Sequence, residues 1–130
     1  MRIAGYAALF ELADGDGDVI RKGAFAKSIA RTREKPLPLY WQHRPEQPIG
    51  AVELLEEDAR GLRVIARIDN AEGRAALALT RREANGLSFG YRARGYRPIP
   101  GGRLLEDIEL LEISLVTHPL QHGARVHLAA

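Results

Sequence analysis

The sequence predicts a mainly β fold with some helix (α+β), an antiparallel barrel of about seven strands with two or more packed helices. Three observations predict it. Apolar residues alternate with polar ones in runs of strand length. Gly, Pro, Asn and Asp punctuate those runs at short intervals. The two helix-like segments interrupt the strands instead of alternating with them, which disfavours a parallel α/β sheet.

Residues 2–11, RIAGYAALFE, read as the first strand, and LADGDGD (12–18) as a turn. A helix follows around 23–34, where Phe25 and Ile29 share a face. Pro36 and Pro38 stop it. LPLYWQH (37–43) is a short strand running into a loop restrained by Pro45 and Pro48. IGAVELLEE (49–57) and GLRVIARID (61–69) form a hairpin around Asp58-Ala59-Arg60. Asn70 is positioned to cap a helix over 71–84, with Ala75, Ala76, Leu79 and Ala84 as its apolar stripe and Asn85-Gly86 as its end. Two long strands, 87–98 and 103–116, are joined through Pro98, Pro100 and Gly101-Gly102. A last strand spans 124–128. In LLEDIELLEISLV the alternation breaks at Leu110-Leu111, which predicts a β-bulge there. Beyond it, Glu112 and Ser114 take the face opposite Ile113 and Leu115.

At 130 residues, with 45% hydrophobic residues, the chain suits one domain with one core, residues 1–130. No apolar run is long enough to span a bilayer, and the N-terminus turns acidic too early for a signal peptide, so neither membrane nor export is expected. Without cysteine there are no disulfides, thiolate metal sites or cysteine nucleophiles. Arg92, Arg94, Arg97 and Arg103 cluster on one hairpin, but a net charge of +2 gives little drive toward nucleic acid, which is not expected as a partner.

The candidate chemistry narrows quickly. DGDGD at 14–18 suggests a calcium loop, but an EF-hand aligned on Asp14 needs Gly at Val19 and Glu at Phe25; an acidic turn is expected instead. His118, His122 and His127 suggest a metal, yet Pro119 and Gly123 break the helix that the 118/122 spacing would need. No metal and no cofactor are expected. His43 enters a restrained loop after an apolar strand, and imidazole is the usual general base at neutral pH. Glu112 lies amid aliphatic residues and needs a partner. Ser88 sits between Gly86 and Gly90 on the strand face that Leu87, Phe89 and Tyr91 do not use, where small neighbours leave access. Its surroundings spell G-x-S-x-G, but with a helix before and a strand after, the reverse of a hydrolase elbow. A serine, a histidine and a carboxylate are the set a serine hydrolase requires: the hydroxyl needs a base, and the base needs a group that fixes its tautomer.

GYAALFELADGDGDVIRKGAF, LYWQHRPEQPIGAVELLEEDARGLRV, NGLSFGYRAR and LLEISLVTHPLQHGARV cover nearly the whole chain. Together they resemble the prohead maturation proteases of tailed bacteriophages and gene transfer agents. The resemblance implies a β-barrel core like that of herpesvirus assemblins. It implies a serine endopeptidase that trims scaffold segments of the major capsid protein inside the immature capsid, in the host or bacterial cytoplasm, as a homodimer or higher oligomer. His43 would be the base, Ser88 the nucleophile, and Glu112 or alternatively His118 the third member. Oxyanion donors are sought in the loop 117–124, whose Gly123 permits unusual backbone geometry. The rival readings are a non-catalytic capsid-assembly barrel of the same fold and a small basic nucleic-acid-binding barrel.

Overall fold

The two long strands are β6 (Gly86–Ile99) and β7 (Gly102–Val116), and they organise the rest of the molecule. The computed structural model describes residues 1–119, 121 and 123–129. Before β6 come β1 (Arg2–Leu9), β2 (Val19–Ile20), α1 (Ala26–Thr32), β3 (Pro38–Trp41), β4 (Arg44–Glu57), β5 (Gly61–Ile68) and α2 (Arg74–Thr80); β8 (Val126–Ala129) ends the described chain. Among the described residues one sheet of eight strands runs in the order β2-β7-β3-β4-β5-β1-β8, with β6 on β7. Strand β7 is the hub. Its partner on one edge is β6, antiparallel, while β2 and β3 pair with it in parallel at Leu104–Leu105 and Ile113–Leu115. The mainly β, mostly antiparallel fold with packed helices is as expected; two pairings of β7 are parallel, and the path of the sheet does not close into a barrel. Among the described residues β6 and the segment entering β8 meet at a Gly86↔Arg125 bridge, flanked by hydrogen bonds from Leu87 N–H to Ala124 C=O and from Val126 N–H to Asn85 C=O.

Alternation fills the interior: Ile3, Leu39, Leu62, Val64, Leu87, Leu105, Ile108, Ile113 and Leu115 are all buried in one cluster. Phe25, just before α1, is fully buried and meets Phe89 edge-on at 5.5 Å, so the strand that carries Ser88 is backed by aromatic packing. Helix α1 has no cap of its own; the Glu57 carboxylate accepts from Gly23 and Phe25 N–H at 2.7 and 2.9 Å.

The bulge falls where the parity break predicts it. Gly90 pairs with Glu112 and Tyr91 with Leu110, so Leu111 is the extra residue, and it is exposed. Next to it, Ser28 of α1 accepts from Leu110 N–H and donates to Ile108 C=O, both at 2.9 Å, docking the helix where the ladder is irregular.

Three local expectations change. The strand β2, too short for alternation to reveal, lies between the 12–18 turn and the helix expected around 23–34. Helix α2 is shorter than 71–84. Asn70 does not cap it but forms an Asx turn, its Oδ1 accepting from Glu72 N–H at 3.0 Å, and Gly73 is the N-cap residue. At the other end, Glu83 N–H bonds Ala78 C=O and Arg82 N–H bonds Leu79 C=O. That is a Schellman pattern with Arg82, φ 58°, in the left-handed position glycine usually takes, so Asn85-Gly86 is not the terminus. Finally, Pro45 and Pro48 lie within β4, not in a loop. The β3–β4 register shifts on both sides of Tyr40↔Pro48, and bulged strand of this kind tolerates proline.

Candidate active site

Because β4 starts at Arg44, only Gln42 and His43 connect β3 to β4. Trp41 and Arg44 are paired across them. Both connecting residues have positive φ, 51° and 61°, as the first-choice two-residue hairpin turn requires. Neither is the glycine or asparagine that adopts this conformation cheaply, and the turn is held by contacts to β7. Gln42 N–H bonds Leu115 C=O at 3.0 Å, and its side-chain amide exchanges bonds with Thr117 at 3.3 and 3.4 Å. His43 N–H donates to Ser114 Oγ at 3.1 Å.

The parallel β3–β7 pairing brings this turn beside Glu112 and Ser114. On β7 the bulge sets the parity: Glu112 and Ser114 share a face, and their β6 partners Gly90 and Ser88 share it with them. Glu112 is 7% exposed and Ser114 is fully buried. His43 Nδ1 lies 2.5 Å from Glu112 Oε1, and Ser114 Oγ donates to Glu112 Oε2 at 2.5 Å. The carboxylate is thus held at both oxygens, and the face of β7 carries a relay from Ser114 through Glu112 to the imidazole. The hydrogen bond to Glu112 raises the His43 pKa above its usual value, partial burial opposes it, and the carboxylate's charge adds to the rise.

Ser88 stands one strand over, paired with Ser114. It is 6% exposed. No hydrogen bond joins Ser88 Oγ to His43 among the described residues. With Nδ1 committed to Glu112, Nε2 is the imidazole nitrogen left to receive a proton. Unliganded active sites are often loose at this contact.

The glycines around Ser88 are not open space. A Cβ on Gly90 would run into the Glu112 carboxylate, and one on Gly86 would lie 2.6 Å from Pro119 Cδ. Ser88 is therefore bracketed by two notches, one filled by the Glu112 carboxylate and one by the Pro119 ring. Sequence reasoning missed Gln121, which is fixed to the end of β1: its Oε1 accepts from Leu9 N–H at 2.6 Å, and its Nε2 donates to Leu9 and Leu12 C=O at 3.0 and 3.2 Å. Gly123 does not have a left-handed φ; its missing side chain makes room for Leu9. Of the histidines, His118 is exposed beside Pro119, and His122 lies outside the described residues. Ser114 was also missed as a site residue. The only signal for it was the Glu-x-Ser spacing on one strand face.

The arginine cluster is matched by acids. Arg94 and Arg92 pair with Glu109 at 2.5 and 3.7 Å, Arg97 with Glu106 at 3.8 Å, and Arg103 makes a two-pronged contact with Asp18 at 2.8 and 3.1 Å. That contact holds the Asp18 carboxyl below its usual range, while Glu109 and Glu106 are each shared by more than one arginine. In the DGDGD turn, Asp14 Oδ1 accepts from the N–H groups of Asp16 and Asp18, so this carboxylate shapes the turn.

Known proteins share this architecture. The capsid assembly protease gp21 of bacteriophage T4 superposes with a TM-score of 0.75 over 91% of this chain and 82% of its own, at 13% identity. The protease of Kaposi's sarcoma herpesvirus (KSHV), solved with a hexapeptide phosphonate inhibitor, gives 0.64 over 96% of this chain and 63% of its own, at 14% identity. At these identities the likeness establishes the fold, which is that of the assemblin-like proteases. The prohead protease of Enterobacteria phage HK97 is 33% identical across 94% of this chain, which spans 57% of that relative's length. The model of the caudovirus prohead serine proteases matches residues 1–130 from end to end, and the chain belongs to that family.

Proposed function

We propose that residues 1–130 form the protease domain of a serine endopeptidase that cleaves the scaffold segment of a major capsid protein during prohead maturation, inside the immature capsid. The observation that carries the reading is the His43 imidazole bonded through Nδ1 to a buried carboxylate, on the face of β7 that Ser88 shares. Ser88 is the nucleophile. His43 Nε2 takes the hydroxyl proton as Oγ attacks the peptide carbonyl, then returns it to the leaving amine. Glu112 keeps the Nδ1–H tautomer and stabilises the imidazolium. Backbone N–H groups stabilise the oxyanion, and they are sought in the segment around Pro119, which packs on Gly86.

The test is co-expression with the major capsid protein of the same genome, read by intact mass. Wild type should release the scaffold segment and Ser88→Ala should not. Undiminished cleavage by Ser88→Ala would sink the assignment, and an uncleaved capsid protein with wild type would favour a capsid-assembly role without catalysis.

A further inference from the structure

We propose that Ser114 is a positioning residue for the reaction, its hydroxyl holding both the Glu112 carboxylate and the His43 backbone in register. The inference rests on the triad reading above and goes beyond it. Ser114 is fully buried, yet its hydroxyl is used in both directions. It accepts from His43 N–H at 3.1 Å and donates to Glu112 Oε2 at 2.5 Å. These two bonds close a loop: main chain of His43, hydroxyl of Ser114, carboxylate of Glu112, imidazole of His43. The loop fixes two otherwise free degrees of freedom. One is rotation of the Glu112 carboxyl group, whose other oxygen faces His43 Nδ1. The second is the φ of His43, 61°, a conformation a non-glycine residue holds only when its surroundings impose it. A hydroxyl fits this role because it can accept from a backbone N–H and donate to a carboxylate at once; an amine or carboxylate side chain cannot do both.

The 2.5 Å Nδ1···Oε1 contact supplies a readout independent of turnover, since a proton held so tightly by imidazole and carboxylate resonates far downfield in the proton NMR spectrum. The experiment compares the Ser88→Ala chain with Ser88→Ala/Ser114→Ala by NMR, and wild type with Ser114→Ala by cleavage kinetics on the purified capsid protein. The expected result is loss or an upfield move of the His43 proton resonance, a fall of ten-fold or more in kcat, and KM unchanged within about two-fold. Ser114→Cys, close in size and a weaker donor, should fall between the two. If Ser114→Ala does not fold, Ser114→Cys decides by the same resonance. A folded Ser114 variant with an unmoved resonance and wild-type kcat overturns the positioning role. If Ser88→Ala itself still cleaves, the triad reading is what fails, and the resonance comparison still reports on Ser114.

Discussion

The two ends of the β6–β7 hairpin treat their carboxylates in opposite ways. Toward the tip, Glu109 meets Arg31, Arg92 and Arg94, while Glu106 meets Arg21 and Arg97. These are charge-for-charge pairs with exposed guanidinium partners, in a region where water and salt screen them. Three residues beyond Glu109, across the bulge, Glu112 meets no arginine or lysine among the described residues. Its partners are a hydroxyl and an imidazole, and it is buried. A carboxylate neutralised by guanidinium groups has little left to give a neighbouring titration. One satisfied by neutral donors keeps its charge available to the histidine beside it. The bulge at Leu111 lies between the two regimes; its extra residue keeps Glu109 and Glu112 on one face of β7, opposite Arg92 and Gly90 of β6.

The sharpest way to break this contrast is at the base end. His43→Ala should reduce cleavage to near background, a loss on the order of 10⁴-fold or more, measured with capsid protein as substrate. Glu112→Gln keeps the shape and removes the charge; kcat should fall about 10²–10⁴-fold, with KM little changed. Gly90→Ala puts a methyl group where the carboxylate now sits. It should cost roughly 1–3 kcal/mol in denaturant unfolding and lower activity along with stability.

The pH dependence sharpens the comparison further. Because Glu112 raises the His43 pKa, this imidazole becomes protonated at a higher pH than a free one would. The acidic limb of kcat/KM should therefore lie above about 6.5, the unperturbed value, and Glu112→Gln should move it down. Stability follows the opposite sense. The folded-state pKa of His43 exceeds the unfolded one, so the ion pair's contribution is full below the unfolded pKa and is lost as pH rises through the folded one. The smallest effect is expected at the tip, where Glu109→Gln in high salt should leave both the thermal midpoint and the activity unchanged within error.

The fold was largely readable because alternation and turn chemistry act locally. The parity break at Leu110-Leu111 placed the bulge, and the LSFGY and EISLV blocks placed the strands of the site. What alternation cannot show is pairing between distant strands, so the parallel contacts of β7 with β2 and β3 went unseen. His43, Ser88 and Glu112 stood out as polar residues poorly explained by their strands, and the family resemblance gave them roles. Ser114 did not stand out, since a serine between Ile113 and Leu115 reads as filler until its partners are known. The Gln42-His43 turn was hidden for a different reason: it lacks the glycine or asparagine that normally announces left-handed backbone, and its conformation is imposed by tertiary contacts. Gly86 and Gly90 were read as leaving access to Ser88. They are notches for Pro119 and Glu112 instead, a distinction that only packing reveals.

The parallel β3–β7 pairing also sets an order in time. His43 and Glu112 are 69 residues apart in sequence, and β3 has no strand to lie against on that edge until β7 exists. During synthesis from the N-terminus, His43 leaves the ribosome well before its carboxylate, and Ser88 leaves before it too. Pairings this distant form late in folding because the loop between them must first be ordered. A nascent or truncated chain ending before β7 thus holds a serine and a histidine with nothing to align them, which delays assembly of the site until almost the entire domain has been made.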